Sequence, residues 1–283
     1  MLISEALSSA ENSLKQKGVD SSRIDALLIL CHCLDVSKEQ IIFNGTRKLD
    51  SYEKKKLSLL LKRRENREPM SHILGKREFF GLDFFVNSSV LDPRPDSETL
   101  IEAVLEVFTD RNKPIKILEL GVGSGCLFST ILKYLPNSSA IGSDISSEAL
   151  NIAQNNVDQL NLSSRVNLIQ SNWFSNIEDG HKFDLIISNP PYIKTSDIDH
   201  LQDEVKNFEP HLALDGGKDG LNCYRDISAK AADFLTDSGF VLLEIGQNQE
   251  NEVIEIFTKN NLRFVKSKKD LPGIIRCLVF MKK

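Results

Sequence analysis

The chain reads as an α/β protein: a mostly parallel, seven-stranded sheet with helices on both faces, preceded by a small helical bundle. Three observations predict this. Beyond Lys113, strand-like runs alternate with helical ones, the pattern of a sheet covered on both sides. The first 70 or so residues carry apolar positions only at helical spacing. The last two strand-like runs follow each other with no helix between, so they should pair antiparallel at the end of the sheet. Of 283 residues, 41% are hydrophobic and 27% charged, enough for a sizeable core in one large or two smaller domains.

In the N-terminal segment Leu2, Ala6, Leu7, Ala10 and Leu14 line one face, and Gly18 ends the helix. Ser21 or Ser22 can cap the next helix, which carries Ile24, Leu27, Leu28, Leu30, Cys31 and Leu34. "KEQIIFNG" suggests a short third helix. A fourth, "DSYEKKKLSLLLKRRENREP", has Asp50 or Ser51 as its cap and stops before Pro69. Its basic run, Lys54 to Lys56, Lys62 to Arg64 and Arg67, reads as a solvated face, with a docking surface for an acidic partner as the alternative. Next, Phe80, Leu82, Phe84 and Val86 around Gly81 suggest a β-hairpin. The proline-stiffened "DPRPDSE" leads into a helix that Asp96 or Ser97 can start. The domains are therefore expected at 1–70 (helical), 71–95 (hairpin and linker) and 96–283 (catalytic α/β).

In the alternating region "PIKILEL" is the first sheet strand, followed by "GCLFSTILKYL" as a helix. "SAIGSDI" and "RVNLIQS" are strands around the helix "SEALNIAQNNVDQLNL". "KFDLIIS" and "GFVLLEIG" are strands around the helix "YRDISAKAADFLTDS". After the helix "NQENEVIEIFTKN", Leu262–Lys266 and Ile275–Met281 close the sheet.

Between the first strand and its helix, Gly121, Val122, Gly123, Ser124 and Gly125 form a glycine loop. Its glycines allow positive φ and close approach of backbone to a ligand, at a helix N-terminus. Asp144 closes the next strand, where a carboxylate can take the two hydroxyls of a ribose. This arrangement fits a dinucleotide as well as S-adenosylmethionine. Glu119, beside the loop, tilts the balance, because a carboxylate repels a pyrophosphate but suits ammonium and sulfonium charges.

"FDLIISNPPYIKTSD" delivers Asn189 to the same sheet edge, where open α/β sheets hold their ligands. The Asn189 side-chain carbonyl and the Pro190 backbone carbonyl are two acceptors that can grip both hydrogens of an –NH2 group and aim its nitrogen at the cofactor methyl. Pro190 has no N–H to compete, and Pro191 stiffens the loop. Tyr192 supplies a flat face for a planar amide or a base. Attack on a sulfonium releases a neutral thioether, so neither metal nor strong base is required.

"LELGVGSGC", "GSDISSEAL", "SNWF" and "FDLIISNPPYI" resemble the class I S-adenosylmethionine methyltransferases of the Asn-Pro-Pro-Tyr type, whose members modify adenine, guanine or glutamine. The helical N-terminus, "REFFGLDFFVNSSVLDPRPDSETLIE", "EPHLALDGGKDGLNCYRDI" and "GFVLLEIGQNQ" extend the resemblance over nearly the whole chain to the PrmC/HemK family. It implies a Rossmann-like catalytic domain with an antiparallel last strand, S-adenosyl-L-methionine as cofactor, and class-1 peptide-chain release factors as substrates, methylated on N5 of the glutamine in their Gly-Gly-Gln motif. By that resemblance Gly121 to Gly125 line the methionine and ribose, Asp144 holds the ribose, and Trp173 flanks the adenine. Asn189 lies between cofactor and substrate, and Asn189 to Tyr192 bind the glutamine amide. Arg94 and Glu98 match a segment over the cofactor. The chain departs from the family's usual Asp at Glu119 and at Asn172; the second change should affect cofactor affinity rather than chemistry.

A nucleic-acid methyltransferase with the same loop is the main competitor. It would call for a basic face, whereas the net charge is −5. A ribosomal-protein glutamine methyltransferase is a third reading, which "PRPDSE" argues against; a nicotinamide dehydrogenase or a non-enzymatic module has no use for Asn-Pro-Pro-Tyr. Five scattered cysteines read as reduced thiols in a cytoplasmic protein, with Cys31-His32-Cys33 packing on a helix. The five histidines lack metal-binding spacing. No signal peptide or membrane span is expected, and a monomer is the default.

Overall fold

Five helices come first. Helix α1 (Ile3–Gln16) buries Ile3, Ala6, Ala10 and Leu14, and the Leu2 N–H at its start donates to the Glu5 carboxylate at 2.7 Å. Helix α2 (Ser22–Leu34) begins after Ser21, whose hydroxyl bonds Asp25 rather than a helix N–H. Reciprocal capping boxes, Ser37 with Gln40 and Asp50 with Glu53, open α3 (Lys38–Phe43) and α4 (Ser51–Glu65). A single turn, α5 (Met70–Leu74), has no sequence signal beyond Pro69 before it and Gly75 after it. The α1, α2 and α4 faces meet in one apolar core that also takes in Cys33.

The basic end of α4 is not a free face. Arg64 is buried and bonds Asp25 at 2.7 Å and Glu204 at 3.3 Å. Arg63 forks onto Glu68, and Arg67 pairs with Glu204. Glu204 comes from the short helix α9 (Asp203–Lys206), far along the chain. The computed structural model describes all residues, Met1–Lys283, in two units: Met1–Lys76 with Gln202–Phe208, and Arg77–Leu201 with Glu209–Lys283.

Strands β1 (Lys76–Phe79), all but its first residue in the second unit, and β2 (Leu82–Phe85) form the expected two-stranded sheet. Phe80 and Gly81 both have positive φ (51° and 79°), as a two-residue hairpin turn requires. A turn of 3-10 helix at Pro95–Ser97 leads into α6 (Glu98–Val107), and Ser97 makes no capping bond there. Then follow β3 (Lys116–Leu120), α7 (Cys126–Tyr134), β4 (Ser139–Asp144), α8 (Ser147–Gln159), β5 (Val166–Gln170), β6 (Phe183–Ser188), α10 (Asn222–Phe234), β7 (Leu235–Glu244), α11 (Glu250–Thr258), β8 (Leu262–Lys269) and β9 (Ile275–Lys282).

Seven strands form one sheet in the order β5-β4-β3-β6-β7-β9-β8. All pairings are parallel except those of β9, which runs antiparallel between β7 and β8. The period-2 rule decides the two faces. Ile117, Leu185, Ile187 and Leu242 pack under α6, α7 and α8, while Leu118, Ile186, Val241 and Leu243 pack under α10 and α11. Strand order reverses between β3 and β6, which makes their carboxyl ends the switch point where open α/β sheets hold ligands. The Ser188 hydroxyl donates to the Leu120 carbonyl at 2.6 Å and pins those two ends together.

Candidate active site

The glycine loop leaves β3 at Gly121 and enters α7 after Gly125. Gly121, Gly123 and Gly125 all have positive φ. At Gly125 space also excludes a side chain, since a Cβ would lie 2.9 Å from the Phe128 ring and 3.2 Å from Ala153. The loop is anchored from three sides. Gly121 and Val122 N–H groups donate to the Ser143 carbonyl, and Gly123 N–H donates to Asp144 Oδ2 at 2.9 Å. From α8 the buried Asn156 amide donates to the Ser124 and Phe85 carbonyls and accepts from Phe85 N–H, so one side chain ties hairpin and loop together.

Asp144 accepts one backbone N–H on each oxygen, from Gly123 and from Ser146, both at 2.9 Å. Burial raises its pKa, and the N–H groups act against that shift. Glu119 is fully buried. Its Oε2 accepts the Phe128 N–H at 2.7 Å, in the first turn of α7, and burial followed by the Asp144 charge holds its carboxyl well above the ordinary range. Trp173 has φ 50°, an uncommon conformation for an aromatic residue, and its ring lies over Gly121. The Ser171 hydroxyl holds that turn by donating to the Trp173 carbonyl.

These residues surround a cavity of about 310 Å³. Its walls contain Gly121, Val122, Gly123, Ser124, Asp144, Trp173 and Asn189 from the sequence expectation, together with Arg94, Glu119 and Asn172. Pro191 also lines it, whereas Gly125, Pro190 and Tyr192 flank the lining residues in sequence without lining it themselves. Glu98 faces away and accepts the Phe80 N–H. Arg94 donates through Nη2 to both Glu209 carboxylate oxygens, each at 2.7 Å. Burial raises the Glu209 carboxyl to about 7 despite that partner.

Around Asn-Pro-Pro-Tyr the structure adds residues that sequence reasoning missed. Asn189 Nδ2 donates to Ser97 Oγ at 3.1 Å. Ser97 Oγ donates to Glu244 Oε2, and the Tyr192 hydroxyl donates to Glu244 Oε1 at 3.2 Å. Glu244, at the end of β7, is 1% exposed, and burial pushes its carboxyl up to about 7. Gln249 Nε2 donates to the Tyr192 carbonyl at 3.1 Å and to the Gly220 carbonyl at 3.3 Å. The "DGGKDG" loop packs behind Tyr192, bonded through Ile193 to Leu214 and Gly216. The only signals were a carboxylate closing an apolar strand and a serine already assigned to a helix start.

The chain is 38% identical to the release factor glutamine methyltransferase of Agrobacterium fabrum, over 98% of this chain and 96% of that protein. It belongs to the release factor glutamine methyltransferase family. In keeping with that family, residues 5–75 match the PrmC N-terminal domain and residues 95–217 the methyltransferase small domain. The chain is also 35% identical to a bifunctional methyltransferase of Rickettsia felis, but spans only 58% of that protein's length. A methyltransferase structure from Pyrococcus furiosus shares the fold, with a TM-score of 0.52 at 23% identity over 72% of this chain and 90% of that one. No helix is long and apolar enough to cross a membrane.

Proposed function

We propose that the chain transfers a methyl group from S-adenosyl-L-methionine to the side-chain amide nitrogen, N5, of the glutamine in the Gly-Gly-Gln motif of class-1 peptide-chain release factors. One observation carries the reading. Asn189 gives its amino end to Ser97, which leaves Oδ1 as the free end of an amide in the cavity wall at the switch point. Similarity at 38% identity to a release factor glutamine methyltransferase supports glutamine over a nucleobase as the amide gripped there.

The cavity fits the cofactor. Each Asp144 oxygen accepts a backbone N–H at 2.9 Å, from Gly123 and from Ser146, and a carboxylate oxygen can accept more than one donor, so the pair can also take ribose hydroxyls. Trp173 offers a ring for the adenine, and Gly121 to Ser124 offer bare backbone for the methionine portion. Glu119 is a buried carboxyl that a cation would hold ionised. When bound, the cofactor supplies an electrophilic methyl on a positively charged sulfur. Asn189 Oδ1 and the Pro190 carbonyl accept the two amide hydrogens and aim the nitrogen lone pair along the line of transfer, and the nitrogen gives up one of those protons to solvent as it gains the methyl. Pro191 limits the freedom of that loop, and Tyr192 bounds the substrate amide. Residues 1–70 are read as the domain that recognises the release factor, with 71–95 as linker and 96–283 as catalytic domain, working in the cytoplasm.

The test is methyl transfer from labelled cofactor to a class-1 release factor, with the label mapped by mass spectrometry. Label on the Gly-Gly-Gln glutamine, absent when that glutamine is changed to alanine, is the expected result. Label on rRNA or DNA in its place would sink the reading.

A further inference from the structure

We infer that Ser97 and Glu244 are positioning residues that set the orientation of the Asn189 amide. The inference rests on the methyl-transfer reading for its catalytic consequence, but its geometry stands apart from it.

The reasoning is a count of protons. A serine hydroxyl has one proton, and Ser97 gives it to Glu244 Oε2. Its oxygen can then only accept from Asn189, so Asn189 must present its Nδ2, and does so at 3.1 Å. The other end of that planar amide, Oδ1, is thereby the acceptor held for the substrate. The second oxygen of the same carboxylate takes the Tyr192 hydroxyl, so one carboxylate fixes both ends of the Asn-Pro-Pro-Tyr loop. Without this carboxylate, Ser97 could turn its proton to Asn189, and the amide could flip. The amino group would then face the substrate –NH2, donor against donor.

Protonation of Glu244 has the same effect as its removal, because its O–H would donate to Ser97 and free the serine proton for Asn189. The groups facing Glu244 are Asp96, Arg276, Tyr192, Tyr224, Cys126 and Cys277. Arg276 favours the carboxylate but is itself paired with Asp96 and Asp270. Burial raises both tyrosines and both cysteines, which keeps them neutral. Glu244 is thus the member of the cluster that changes charge near pH 7, and the amide should be held correctly only above that point.

Two measurements test this on the full-length chain. The first is kcat and KM against pH for wild type and Glu244→Gln, with a release factor as substrate. Wild-type kcat should fall on the acid side with a midpoint near 7. Glu244→Gln should lose that limb and at least about tenfold in kcat, with KM for the cofactor within about twofold. Retention of the limb, or kcat within about twofold of wild type, overturns the inference. The second needs neither substrate nor cofactor: the side-chain amide of Asn189, 15N-labelled and assigned by its loss in Asn189→Ala, is followed between about pH 5.5 and 8.5. Its signals should titrate with the same midpoint in wild type and stay fixed in Glu244→Gln. Signals that do not move in wild type overturn the inference too. If the wild-type chain methylates no release factor at any pH, the proposed function fails, and the amide titration alone decides the orientation.

Discussion

At the scale of single residues, two side chains divide the work, and their loss should separate cleanly. Asn189 is tied to Ser97 and exposes one acceptor; on the proposed reading, Asn189→Ala removes the group that aims the substrate nitrogen and leaves the glycine loop's own bonds in place. Its kcat should fall by about 10²-fold or more while calorimetry shows cofactor affinity close to wild type. Asp144 also anchors the loop, through Gly123 and Ser146 N–H groups. On the same proposed reading, Asp144→Ala removes a ribose acceptor together with two loop bonds. Cofactor Kd should rise by about tenfold or more, about 1.4 kcal/mol, and an unchanged calorimetric Kd would refute the assignment. The sequence singles out both residues because each is a polar type at the end of an apolar strand, at the edge where open α/β sheets hold ligands, and both line the cavity. Glu244 closes an apolar strand in the same way, yet nothing near it in sequence explains it. Its partner Ser97 lies on a distant segment, and only the fold brings the two together.

Among the elements, the stretch from 215 to 220 shows most clearly what spacing conveys and what it hides. Its glycines predict a turn at the active edge, and one of its residues, Asp215, does line the cavity. It also packs against the backbone of Tyr192, through Gly216 and Gly220. Gly220 has φ 77°, and a Cβ there would lie 2.5 Å from the Tyr192 carbonyl and 2.8 Å from Gln249 Nε2. Those are the two groups that bond each other across the loop. Gly220→Ala should therefore push Tyr192 out of register, lowering kcat by about tenfold or more and stability by roughly 1–3 kcal/mol. A variant with wild-type kcat would show that the loop does not buttress Tyr192. Helix α4 makes the same point for charge. A run of lysines and arginines reads as a solvated face, but Arg64 is a core residue because Asp25 and Glu204 neutralise it, and neither partner is near it in sequence. Helix α5 escaped notice because one turn is too short to establish a period.

For the molecule as a whole, the strand-helix alternation conveyed the sheet, because a parallel sheet must be apolar on both faces and its crossovers must be helical. What it could not convey is the cost of the site to the fold. Glu244 lies under α6, in a position where hydrophobic burial alone would place a neutral side chain. Its carboxyl has an ordinary value of 4.5 and is raised to about 7 in the folded chain. Below about pH 4.5 it is protonated in both the folded and unfolded states and costs nothing through charge. Between pH 4.5 and about 7 the unfolded chain has given up this proton while the folded one keeps it, so stability is lost across that window and does not return above it. The gap corresponds to roughly 3 kcal/mol. Glu244→Gln keeps the shape and removes the charge. Its melting temperature should match wild type near pH 4 and exceed it at pH 8.5 by roughly 6–12 °C, in the transition of the catalytic unit. The same substitution should cost activity at pH 8.5. A variant that gains stability there while losing turnover would mean that the buried carboxylate is kept for the orientation of Asn189 and Tyr192, at the expense of the fold. Equal melting temperatures at pH 8.5 would mean instead that Arg276 and the two hydroxyl donors already offset the burial in full.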